Sequence, residues 1–137
     1  MLILRTVRRS ILPYMKKILI IDDDIELVKL YGIKFIAECF EVRGALDGAE
    51  GLALAKKECP DLILLDVNMP RMDGFAVMEK LRADKATEKT PIIIISNLDA
   101  DDARMKNIVK SEPAYYLLKK NYTLADVVAK AKELLAG

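Results

Sequence analysis

The chain is predicted to be an α/β domain, a (βα)5 doubly wound parallel sheet. Residues 18–21, 62–65 and 92–95 are continuous apolar runs rich in isoleucine and leucine, as strands covered on both faces must be. Longer stretches with apolar residues at helical spacing separate them, and strand–helix alternation of this kind gives a parallel sheet with helices on both sides. The unusual polar residues Asp22, Asp23, Asp66, Ser96 and Lys119 all follow such runs, so all fall on one edge of that sheet.

The elements follow in order. After the strand over 18–21, Asp24 precedes Ile25, Val28, Leu30, Tyr31, Ile33 and Ile36, a recurrence that predicts the first helix. Residues 41–45 (Glu-Val-Arg-Gly-Ala) are polar enough for an edge strand. Asp47 with Glu50 three residues on resembles a capping arrangement for a helix through about Glu58. The strand over 62–65 leads to Asp66, and Gly74 opens a helix marked by Phe75, Met78 and Leu81. The strand over 92–95 is followed by a helix over 99–110 with a weak stripe of Met105, Ile108 and Val109. A strand over 115–118 then precedes a final helix, capped by Thr123, through Leu124, Val127, Val128, Ala131, Leu134 and Leu135.

At 137 residues the chain suits one domain with a real core, and no internal repeat or linker divides it. Apolar residues make up 53% and charged ones 31%, which fits a globular protein and excludes disorder. A net charge of +1 offers no basis for nucleic-acid binding, and no run reaches the roughly 20 apolar residues of a membrane span. Cys39 and Cys59 lack metal-ligand spacing and are expected to be reduced and packed in a cytoplasmic protein. There is no histidine, which excludes a histidine-based hydrolase, a histidine metal site and a phosphohistidine carrier.

Residues 1–15 read as an N-terminal extension, with residues 16–137 as the domain proper. Three origins stay open for it: an upstream start codon, since Met15-Lys16-Lys17 resembles a natural beginning, a docking or membrane-surface arm, or an added helix.

Each polar residue at the sheet edge has an ordinary explanation when taken alone. An aspartate after a strand is commonly a helix cap, a serine a turn residue, a lysine a solvated strand end. Together they bring three carboxylates, a hydroxyl and an ammonium to one edge. Carboxylates repel, so such a cluster calls for a cation or a fixed lysine, and it suits a hard divalent ion held beside a reactive carboxylate.

Residues 18–23 (Ile-Leu-Ile-Ile-Asp-Asp), 66–74 (Asp-Val-Asn-Met-Pro-Arg-Met-Asp-Gly), Ser96 after four isoleucines, and residues 116–119 (Tyr-Leu-Leu-Lys) together resemble the response-regulator receiver domain of two-component signalling. The resemblance covers residues 16–136, and the segment 66–74 is its most specific part. It implies a flavodoxin-like sheet in strand order 2-1-3-4-5. It further implies that Asp66 is the phosphoacceptor, taking a phosphoryl group from a sensor histidine kinase or histidine phosphotransfer protein. Mg²⁺ would be held by Asp22, Asp23, Asp66 and the backbone carbonyl of Asn68. Lys119 would pair with Asp66 and then with the phosphoryl group, Ser96 would donate its hydroxyl, and Tyr116 would be the aromatic switch. A downstream protein target would be met on the face built from the fourth helix, fifth strand and fifth helix. Such a protein is not a turnover enzyme; it catalyses only its own phosphotransfer and autodephosphorylation. Because only Glu133 to Gly137 follow Lys132, the type expected is a stand-alone receiver.

The chain departs from the family pattern in several places. Lys120 stands where a proline after a cis peptide bond is usual, so the loop is either strained or rebuilt as trans. Asn97 replaces a small residue, where it could crowd the phosphoryl entrance or hydrogen-bond to it. Leu98 cannot orient an attacking water, which predicts a long-lived phospho-aspartate. Ser111-Glu112-Pro113-Ala114 replaces the usual glycine–alanine entry to the last strand. Two alternatives from other classes accompany this reading. One is a pseudo-receiver interaction module that never takes phosphate. The other, a Mg²⁺-dependent aspartyl phosphatase, needs a second carboxylate two residues past the nucleophile, where this chain has Asn68.

Overall fold

Parity along each strand sorts the core into two layers. The computed structural model describes residues 15–69, 74–97, 106, 113 and 115–136. In it β1 (Lys17–Ile21), β2 (Glu41–Ala45), β3 (Leu62–Asp66), β4 (Ile92–Ser96) and β5 (Tyr115–Leu118) form one sheet in the order β2-β1-β3-β4-β5, with every pair parallel. Successive side chains of a strand point to opposite faces. Leu19, Ile21, Ile63, Leu65, Ile92 and Ile94 therefore pack on one side, and Ile18, Ile20, Leu62, Leu64, Ile93 and Ile95 on the other. All twelve are buried, which is why these runs are apolar without alternation.

Four helices are described. α1 (Ile25–Ala37) and α4 (Leu124–Leu135) cover one face; α2 (Gly48–Glu58) and α3 (Gly74–Ala83) cover the other. Two of their caps, Asp47 and Thr123, are those expected from the sequence. Asp24 accepts from the Glu26 and Leu27 amides, and Asp47 from the Glu50 amide. Thr123 and Asp126 form a reciprocal capping box. No described helix is long and apolar enough to cross a membrane.

Gly74 opens α3 at a close approach to the strand before it. A Cβ there would collide with the Val67 Cα and lie 2.7 Å from the Val67 Cβ. At the strand-start end of the sheet, Glu58 accepts from Arg43 Nε at 2.8 Å and Lys17 Nζ at 3.1 Å. Those hydrogen bonds, Arg43's first, hold its carboxyl down at about 2.

One expectation is refined and one is corrected. The apolar recurrence on α1 runs around most of the helix. The sheet takes Leu27, Val28, Tyr31 and Phe35, while Ile25, Leu30, Ile33 and Ile36 are exposed. Cys39 and Cys59 are not packed; both are free and exposed, with φ of 69° and 46°. They follow the last turns of α1 and α2, where the chain reverses in the left-handed conformation that glycine usually supplies. The arm over residues 1–14, loop residues 70–73, Leu98, residues 111, 112 and 114, and the helix expected over 99–110 lie outside the described residues, apart from Lys106 in helical conformation.

Candidate metal and phosphoryl site

Parallel register brings the polar residues together. Ile21 pairs with Leu65, so Asp22 and Asp66 leave neighbouring strands side by side. Asp66 pairs with Ile95, and Ser96 with Leu118, so Ser96 and Lys119 continue the row across the sheet edge.

The three aspartates after β1 divide their tasks. Asp24 is the cap of α1. Asp22 is buried, with one carboxylate oxygen accepting from the Asp24 amide at 2.9 Å, and Asp23 is exposed. Asp22, Asp23 and Asp66 each offer a carboxylate oxygen within 4.8 Å of the other two. An octahedral Mg²⁺ with oxygens at about 2.1 Å places its ligands roughly 3–4 Å apart, so this donor set fits the ion with small adjustments. The electrostatics agree. Burial pushes the Asp22 carboxyl up to about 7; the Asp24 amide opposes this, the Asp66 charge adds to it, and Lys119 offsets part. Crowded, desolvated carboxylates of this kind favour a bound cation.

Asp66 is buried and held at both oxygens. Oδ1 accepts from the Asn68 amide at 2.9 Å, and Oδ2 from Lys119 Nζ at 3.3 Å. Lys119 achieves this without a cis peptide bond, since none occurs among the described residues; Lys119–Asn121 instead form a 3-10 turn. Of the two possibilities for this loop, the trans form is present. Ser96 is fully buried, and its hydroxyl donates to Asn68 Oδ1 at 3.1 Å. Tyr116 is half-buried against the α2–α3 side of the core.

One side chain near the site has a role the sequence did not suggest, and one residue there went unnoticed. Asn68 was assigned only a backbone carbonyl, yet its side-chain oxygen accepts from both Ser96 Oγ and the Asn97 amide, at 3.1 and 3.0 Å. Asn97, expected at the phosphoryl entrance, here contributes its backbone N–H. Tyr31 is the other. It lines a cleft of about 180 Å³ beside Lys119, and burial, with Asp22 and Asp66 nearby, pushes its phenol up to about 12. Only three-dimensional proximity could reveal it, because within α1 it reads as one more core residue.

Comparison with known proteins agrees with this geometry. Residues 18–132 match the family model of the response regulator receiver domain. The chain is 44% identical over 92 residues to the response regulator PleD of Caulobacter vibrioides, covering 67% of this chain and 20% of that protein. It is 34% identical over 121 residues to the DNA-binding dual master transcriptional regulator RpaA of Synechocystis, covering 88% of this chain and 49% of that protein. The chain thus spans half or less of the length of these curated relatives. Among solved structures, the chemotaxis protein CheY4 of Vibrio cholerae superposes with a TM-score of 0.80 at 27% identity, covering 88% of this chain and 99% of that one.

Proposed function

This chain belongs to the response-regulator receiver family, and on that premise we propose that it accepts a phosphoryl group on Asp66 and thereby switches its affinity for a partner protein. The observation that carries this reading is the convergence of Asp22, Asp23 and Asp66 beside Lys119. Asp22, Asp23, Asp66 and the Asn68 carbonyl would hold Mg²⁺. When bound, the ion supplies charge neutralisation for a phosphoryl group in transfer.

The chain's own residues would do the rest. A carboxylate oxygen of Asp66 forms the new bond to phosphorus as the phosphorus–nitrogen bond of a donor phosphohistidine breaks, and the imidazole leaves with that electron pair. Phosphoryl transfer depends on position and charge more than on acid–base catalysis, so a chain without histidine can carry it out. Lys119, freed from Asp66, neutralises a phosphoryl oxygen, and Ser96 donates its hydroxyl to another. The added charge of roughly −1.5 to −2 at neutral pH draws the loops after β4 and β5 towards Asp66. Tyr116 on β5 then follows Ser96, and the surface around β5 and α4 changes shape for a downstream protein. The donor is a sensor histidine kinase or a histidine phosphotransfer protein, met in the cytoplasm. A phosphatase reading loses ground because Asn68 offers no acid–base carboxylate and its side-chain oxygen is engaged with Ser96.

Intact mass after incubation with Mg²⁺ and acetyl phosphate tests the proposal. A gain of one phosphate, absent in Asp66→Asn, is expected. No gain in the parent protein would leave an unphosphorylated interaction module with a receiver fold.

A further inference from the structure

We propose that the Asn68 side chain is a resting-state latch on the switch, a positioning residue that competes with the phosphoryl group for the donors of the β4 loop. The inference rests on the phosphoacceptor reading above and adds a role for a carboxamide that reading leaves unused.

Asn68 sits two residues past Asp66, on the loop that leaves β3. Its Oδ1 accepts from the Ser96 hydroxyl at 3.1 Å and from the Asn97 amide at 3.0 Å. These are consecutive residues on the neighbouring strand's exit, so one oxygen ties the β3 loop to the β4 loop. The Asn68 amide meanwhile donates to Asp66 Oδ1 at 2.9 Å. One residue therefore touches both the acceptor carboxylate and the group that must respond to it.

The competition follows from proton count. A serine hydroxyl carries a single hydrogen and donates one good hydrogen bond at a time. While Ser96 donates to Asn68, it does not donate to a phosphoryl oxygen on Asp66. The neutral amide oxygen is the weaker acceptor, since hydrogen bonds to an ionised acceptor are roughly twice as strong. Phosphorylation thus draws Ser96 away from Asn68 and releases the β4 loop. Before phosphorylation the same bonds hold the loop in its resting position, and their strength sets how far the switch leans towards rest.

Beryllofluoride, a phosphoryl mimic that binds a receiver aspartate with Mg²⁺, reads the latch without a kinase. Asn68 is exposed, so Asn68→Ala removes the acceptor and leaves the backbone carbonyl and the core in place. The variant is expected to bind beryllofluoride about 3–10-fold more tightly than the parent, the equivalent of one ordinary hydrogen bond no longer to be broken. In the unligated variant the Asn97 amide resonance should move towards its position in the beryllofluoride-bound parent. In a Ser96→Ala background the gain from Asn68→Ala should shrink, because the donor being contested is gone. Equal or weaker binding by Asn68→Ala, with an unmoved Asn97 resonance, would overturn the latch and leave the phosphoacceptor reading standing. A parent that does not bind beryllofluoride at all would overturn both.

Discussion

Lys119 Nζ stands 3.3 Å from Asp66 Oδ2 across 53 positions of sequence, with the lysine side chain 29% exposed and that of the aspartate 2%. A point charge on a flexible, partly exposed stem can leave one oxygen for another without unfolding anything around it.

Lys119→Met should slow phosphorylation of Asp66 by acetyl phosphate on the order of a hundredfold, the usual loss when one preorganised charge-stabilising donor is removed. Mg²⁺ binding should survive, since all three carboxylates remain. Time-resolved intact mass gives the rate; an unchanged rate would show that Lys119 serves only the resting state.

Mg²⁺ affinity should depend on pH through Asp22. That carboxyl titrates near 4 in the unfolded chain and is pushed up to about 7 by burial in the metal-free fold. Between those values the folded protein binds a proton that the unfolded chain has lost. Stability of the metal-free protein therefore falls as pH rises from about 4 to about 7, then levels off. Mg²⁺ competes for the same carboxylate, so its affinity should climb by up to tenfold per pH unit below about 7 and flatten above. Calorimetric titrations between pH 5.5 and 8.5 would reveal the slope; a flat profile contradicts it.

Gly74→Ala should destabilise the fold by about 1–3 kcal/mol, as overpacking does when the obstacle cannot move. The obstacle is the Val67 backbone, directly after β3. Gly44→Ala is the control. Its Cβ would meet only the Val28 Cγ1, at 2.7 Å, and a side chain can turn aside. Urea unfolding of both variants should show the larger loss at Gly74.

Cys59→Gly should stabilise the protein by about 0.5–1 kcal/mol. A β-carbon in the left-handed region costs about 1–2 kcal/mol, and the extra freedom of glycine in the unfolded chain returns part of that. At φ 46° and ψ 62°, Cys59 sits where glycine closes a helix. A thermal melt that does not rise would mean that the cysteine makes a compensating contact.

Several features were legible in the sequence because they are local. Asp47 and Thr123 cap their helices as their spacing implied, and the polar segment Glu41–Ala45 is the sheet edge. The α1 recurrence marked the helix but left its buried face open, because apolar residues surround it and periodicity does not say which arc meets the sheet. The cysteines misled: composition favours burial of a thiol, whereas the left-handed turn that ends each helix faces solvent.

Strand identity, strand count and the acidic residues at strand ends were determined by the sequence alone, since each depends on a few neighbouring side chains and their alternation. Tertiary structure decided what lies between the strands. The pairing of Ile21 with Leu65 sets Asp22 beside Asp66, and the pairing of Ser96 with Leu118 brings Lys119 within reach. The contact of Asn68 with Ser96 joins loops 28 positions apart. Such contacts arise from sheet register and from the path of the chain after each strand, and no local pattern encodes either one. Register follows from many core side chains packing at once.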